Sequence, residues 1–118
     1  MSDRRTLATI PTTWAILAGA LTARRPVAAT YHGHRRLLCP HALGWKAGRP
    51  KLLAYQVSGT TSTGALPADT TQRWRSMFVD DIEHPVIVDQ PWQSAANYTP
   101  ARRNGLDTIA LDLTTISD

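Results

Sequence analysis

Residues 27–41, Val27-Ala28-Ala29-Thr30-Tyr31-His32-Gly33-His34-Arg35-Arg36-Leu37-Leu38-Cys39-Pro40-His41, decide the fold. Two short extended runs flank His32-Gly33-His34, and a glycine free to take positive φ between such runs predicts a tight hairpin. The strands are read over 27–31 and 35–41. Downstream, residues 51–58 form the clearest strand, with Leu53, Tyr55 and Val57 alternating against Leu52, Ala54 and Gln56. Residues 44–50, with two glycines and a proline, are read as a loop, and 59–71 as a long polar connection. Further strands are expected over 72–79 and 86–89 with a charged turn at 80–85 between them, and a last one over 106–113 after an irregular stretch at 92–105. Short strands at this spacing, each pairing with its neighbour, predict a small antiparallel barrel of the SH3-like or Sm-like type, the meander 27–88 closing on itself.

Upstream of the hairpin the periodicity changes. Trp14, Leu17 and Leu21 recur at helical spacing, Thr12 or Thr13 can cap the start, and Pro26 stops the run. Mainly β with one N-terminal helix is therefore the expected class. The divisions are a lead-in and helix over 1–26, a barrel domain over 27–113 and a tail over 114–118. Eight prolines and seven glycines in 118 residues exclude a helical bundle, and the lone Cys39 excludes an internal disulfide framework. No apolar run reaches the length needed to span a membrane. Arg4-Arg5 followed by the apolar residues 14–21 has the outline of a secretion signal. Pro11-Thr12-Thr13 separates the two parts, however, and arginines stand where a cleavage site needs small residues, so the chain is read as cytoplasmic. Charge is uneven: residues 1–51 hold nine Lys/Arg against Asp3 alone, and residues 52–118 hold four arginines against eight acids. Such a layout suits an anion-binding face or a self-complementary interface.

The run Tyr31-His32-Gly33-His34-Arg35-Arg36-Leu37-Leu38-Cys39-Pro40-His41-Ala42-Leu43-Gly44 resembles the opening of WYL domains. Residues 48–59 look like the strand that names that family, and Trp74-Arg75-Ser76-Met77-Phe78-Val79-Asp80-Asp81-Ile82 is similar to its closing segment. Tyr98-Thr99-Pro100-Ala101 and Ile109 resemble the tail of short stand-alone members. The chain departs from the pattern at Pro50-Lys51-Leu52, where Trp-Tyr-Leu is usual, and at Asp81, where many members carry a ligand-facing arginine. The resemblance implies a non-catalytic regulatory module that binds nucleic acid or a nucleotide-type ligand, or that regulates a partner protein; no cofactor is expected.

The residues themselves suggest where. Arg35, Arg36, Arg49, Lys51, Arg73 and Arg75 lie on or beside the expected strands, and Tyr55 and Trp74 are flat side chains able to stack on bases. His41, Arg49, Tyr55, Arg73 and Arg75 are the candidate ligand-binding patch, with Asp81 the one residue able to neutralise it from within. The competing class is a structural or interaction protein whose barrel has lost ligand binding and which works through protein–protein contacts or as a homo-oligomer. His32, His34, Cys39 and His41 carry metal-ligating atoms at a spacing that matches no standard zinc module, so no metal site is assigned. Asp80, Asp81, Glu83 and His84 read as a charged turn rather than an acid–base site, and no nucleophile motif or phosphate-binding loop is present.

Overall fold

The structure, a computed structural model, describes residues 4–98 and 105–113. Helix α1 (Arg4–Ala23) leads into seven strands: β1 (Val27–Tyr31), β2 (His34–Lys46), β3 (Arg49–Thr61), β4 (Gly64–Ala65), β5 (Trp74–Phe78), β6 (Ile82–Ile87) and β7 (Thr108–Asp112). Mainly β with one N-terminal helix is what the chain forms, its antiparallel sheet curled into a half-barrel. Among the described residues no helix is long and apolar enough to cross a membrane.

The helix starts earlier than its periodicity indicates. Of the expected lead-in, residues 1–3 lie outside the described residues and the rest is helical, with Pro11 inside. A proline removes one intrahelical hydrogen bond and bends the axis without ending the helix when packing holds both sides. At the other end Arg24 takes φ 54°, Arg25 N–H reaches the carbonyl of Ala20 at 2.9 Å and Arg24 N–H that of Leu21 at 3.2 Å. This paired closure ends the helix before Pro26, with an arginine in the place glycine usually takes.

The two-residue turns that join β1 to β2 and β2 to β3 use positive φ at both positions, which matches the right-handed twist of the flanking strands. His32 and Gly33 stand at 50° and 82°, Ala47 and Gly48 at 52° and 80°. The second turn corrects the loop expected over 44–50: the strands run straight through to it, so β2 and β3 are 13 residues each. The polar connection at 59–71 is likewise partly ordered. β3 continues to Thr61 and turns back into β4, and Asp69 then caps a single 3₁₀ turn (Thr70–Gln72) by accepting from Thr71 N–H at 2.9 Å.

β2 and β3 are the spine. β2 pairs with β3 along its length, while its other edge takes β1 over residues 34–38 and then β7 over residues 42–45. Register shifts at Leu37/Leu38 and Pro40/Ala42 bend it between the two partners. β3 gives its far edge to β5, as the sequence order indicates, with Lys51 opposite Phe78 and Tyr55 opposite Trp74. A 3₁₀ corner (Val79–Asp81) carries the chain from β5 to β6, which returns to pair with β1. The meander thus curls back on its first strand as expected.

The curl encloses Val27, Ala29, Leu38, Leu43, Leu52, Ala54, Met77 and Val79, and α1 caps it with Leu17, Ala20 and Leu21, all buried. Trp14 is half-buried and stacks on Trp45 with ring centroids 5.2 Å apart. The outer face is apolar too: Cys39, Ala42, Leu53, Tyr55, Trp74 and Leu106 form a second core, against which Trp92, Ala95 and Tyr98 pack. The stretch at 92–98 is irregular as read, and it is a strap over that face. Residues 99–101 of the family-like tail, and the tail at 114–118, lie outside the described residues.

The β2–β7 pairing depends on Gly44, where a Cβ would collide with the carbonyl oxygen of Thr108. Gly44→Ala is expected to cost roughly 2–3 kcal/mol. Amide exchange should speed up first at Ile109 and Leu111, whereas Leu17→Ala should lower protection throughout the sheet.

Candidate functional site

The sheet has two faces, and alternation sends the candidate residues to different ones. Arg75 lies opposite Ala54 and two residues from Met77, both in the enclosed core, so it shares the inner face. Gln56, two residues beyond Ala54, lies there too and is fully buried. Arg36 on β2 joins them: one guanidinium nitrogen donates to Gln56 Oε1 and another to the Tyr31 carbonyl, each at 3.3 Å. Its guanidinium also stands 5.3 Å from the centroid of the Tyr31 ring. Only 5% of Arg36 is exposed.

Two cations therefore meet at the Tyr31–Gln56 end of the half-barrel. Burial lowers the affinity of Arg36 for its proton, and the like charge of Arg75 lowers it further, with Tyr31 acting the other way. Burial lowers that of Arg75 as well. Arg75 uses Nη1 on the carbonyls of Trp74, at 2.9 Å, and Gln72, at 3.3 Å. The Nε–H groups of both arginines are buried without a hydrogen-bond partner, and among the described residues neither arginine makes an ion pair. Uncompensated buried charge is costly, and planar donor forks fit phosphate or carboxylate. The arrangement can take an anion.

The five residues proposed from sequence do not form one patch. His41 and Tyr55 are buried on the outer face, brought together by Trp74, whose ring centroid lies 4.7 Å from that of His41 and 5.4 Å from that of Tyr55. Trp92 and Tyr98 close over His41, each with its centroid 5.0 Å away. Neither can stack on a base while the strap is in place. Arg49, at the tip of the second hairpin, donates to Asp80 at 2.7 Å, reaches Asp81 at 3.6 Å and stands over Phe78, its Cζ 3.6 Å from the ring centroid. The hydrogen bond to Asp80 raises its pKa, so its charge is already satisfied. Arg73 precedes β5 and its Nε–H donates to the Pro67 carbonyl at 2.9 Å. Arg75 alone of the five contributes to the paired-cation site. Arg36 was visible as a strand arginine, but Arg35-Arg36 does not say which of the two turns inward.

The His/Cys set does not converge. His32 and His34 are at the first hairpin, where His34 Nδ1 meets Thr60 Oγ1 at 2.9 Å, while Cys39 and His41 are buried elsewhere. Among the described residues no three His, Cys, Asp or Glu side chains are placed to hold a metal. Comparison of the chain with protein-family models, curated proteins and solved structures finds no match.

His41 is tied at both nitrogens, Nδ1 to the Cys39 carbonyl at 2.7 Å and Nε2 to Ser94 Oγ at 2.8 Å. The carbonyl can only accept, so Nδ1 carries the proton and Ser94 donates to Nε2. Burial pushes its pKa down to about 4, with the Cys39 carbonyl and Asp112 opposing. A histidine that protonates less readily when folded stabilises the fold above its unfolded pKa, about 6.5. That stability is lost as pH falls toward 4 and amounts to roughly 3 kcal/mol. Thermal melts of the wild type should therefore drop steeply between pH 6.5 and about 4. His41→Gln should melt lower at neutral pH and show a flatter profile across that window.

Proposed function

We propose that this chain is a non-catalytic, WYL-like ligand-sensing module that works in the cytoplasm. It binds a nucleotide-type ligand or a nucleic-acid strand through phosphate, with Arg36 and Arg75 as anchors. The observation that carries this reading is the pair of inward-facing guanidinium groups, of a buried Arg36 and a half-buried Arg75, whose Nε–H donors have no partner and whose charge no carboxylate among the described residues offsets. A protein that orders two like charges in its own barrel forgoes several kcal/mol unless an anion joins them. The family-like motifs support the same class of ligand, and the basic first half of the sequence would draw anions toward the domain.

A second reading has its own support. The neutralised cluster of Arg49, Asp80 and Asp81, together with the exposed Val86 and Ile87, fits an interaction protein that works through protein–protein contacts or self-association.

Fluorescence anisotropy with a labelled single-stranded oligonucleotide, and competition by a mononucleotide, separate the two. Binding at about 50 mM salt should weaken steeply as salt is raised, because cation–phosphate contacts release counterions. Arg75→Met should weaken it by about tenfold or more. The melting temperature of that variant should stay level or rise, since a half-buried, unpaired cation has been removed. Absence of binding at low salt, or binding unchanged in Arg75→Met with a lowered melting temperature, would transfer the case to the interaction protein.

A further inference from the structure

Beyond the strap's aromatic contacts, the outer face of the sheet carries an open trough of about 300 Å3. Ala28, Leu37 and Ser58 stand side by side across β1, β2 and β3, and Thr30 and Arg35 pair further along the same two strands. Alternation puts all five on the outer face, opposite the enclosed Val27, Ala29 and Leu38. Half-buried Ala28 and Leu37 give the trough an apolar floor, and the exposed Arg35, Ser58 and Gln90 give it polar groups. Its volume is at the small end of the range for ligand pockets, roughly 300–1,000 Å3, so it suits a molecule of single-ring size.

The backbone of β3 keeps the trough open. Leu37 stands opposite Ser58 and Leu38 opposite Gln56, so Val57 is an extra residue. Gly59 follows at φ 101°, where a Cβ would collide with the carbonyl oxygen of Arg35. No side chain can stand at that point, and bulges of this kind gather beside binding sites.

Arg36 also borders the trough, but its guanidinium turns to the enclosed face, where it meets Gln56 and the Tyr31 carbonyl. The cation on the trough side is Arg35. Its Nη1 donates to Thr30 Oγ1 at 2.9 Å, a bond that orients the guanidinium without neutralising it. A guanidinium has five N–H donors, so the fork keeps donors for an anion. Among the described residues Arg35 makes no ion pair, and no Asp or Glu lines the trough.

We propose that this trough binds a small molecule with a single-ring apolar body and a carboxylate head. The ring would lie on Ala28 and Leu37. The carboxylate would take the Arg35 fork, with the Ser58 hydroxyl and the Gln90 amide as further donors. One guanidinium offsets one negative charge, whereas a phosphate monoester carries about two and is better met by the paired arginines of the other face. The proposal stands apart from that anion site and does not depend on it.

The test is a two-dimensional amide NMR titration of the full chain with benzoate, benzamide and phenyl phosphate. Benzoate at millimolar concentration should shift amides in residues 28–30, 35–37 and 58–59 and leave those of residues 74–76, beside Arg75, in place. Benzamide, which keeps the ring and lacks the charge, should bind about tenfold more weakly. Phenyl phosphate should perturb the trough less than benzoate does. Ser58→Trp fills the trough and should weaken both ring probes. Arg35→Gln leaves the floor intact and should bring benzoate down to the level of benzamide, with benzamide unchanged, which keeps the test decisive if Ser58→Trp does not fold. No shifts with benzoate, shifts centred on residues 74–76, a stronger response of the trough to phenyl phosphate, or a benzoate affinity insensitive to Arg35→Gln would overturn the proposal.

Discussion

A sheet with apolar side chains on both faces has to be covered twice, and the rest of this molecule follows from that constraint. β2 and β3 carry Leu38, Leu52 and Ala54 to one side and Cys39, Leu53 and Tyr55 to the other. Curling the sheet and capping it with α1 hides the first set. The second needs a separate cover, which residues 92–98 provide without regular secondary structure. Apolar side chains buried at roughly 25 cal/mol per Å2 hold such a strap in place even though it adds few backbone hydrogen bonds. The enclosed face ends in polar side chains, at Tyr31, Arg36, Gln56 and Arg75.

The two groups of arginines illustrate how the same side chain serves opposite ends. Arg49 lies at a hairpin tip beside Asp80, Asp81 and Phe78, where solvent, carboxylates and a ring all favour its charge. Arg36 and Arg75 face inward, where each adds to the other's cost. Charge counted along the chain is blind to this difference. Nine cations in the first half of the sequence say that anions would be attracted; the register of β2, β3 and β5 says where an attracted anion would find donors still free.

Much of the fold was legible because it is local. The hairpin at His32-Gly33, the alternating strand through Tyr55 and its pairing with the strand through Trp74 all follow from period and order. The length of β2 and β3 was not legible, because Gly44 and Gly48 resemble loop punctuation. One of them is a close-packing position and the other half of a two-residue turn. The onset of α1 was hidden by Pro11, whose usual place is a first turn. The site was less legible than the fold. Alternation correctly separates faces, but an irregular strap has no period, so nothing in the sequence says that His41 and Tyr55 are covered. The register shift between β2 and β3 changes the phase of alternation, and it sits next to a residue whose direction matters, Arg36.

The strap also seals the protein's one thiol. Cys39 is fully buried, its Sγ accepts from the Gln93 amide at 3.4 Å, and burial pushes its pKa up to about 11. A sulfur so placed is inert as long as residues 92–98 lie flat, and it becomes an ordinary alkylatable thiol once they lift. The molecule thus contains its own clock for one motion: the rate at which Cys39 is trapped by an alkylating reagent counts the openings of the outer face, unaided by any engineered label.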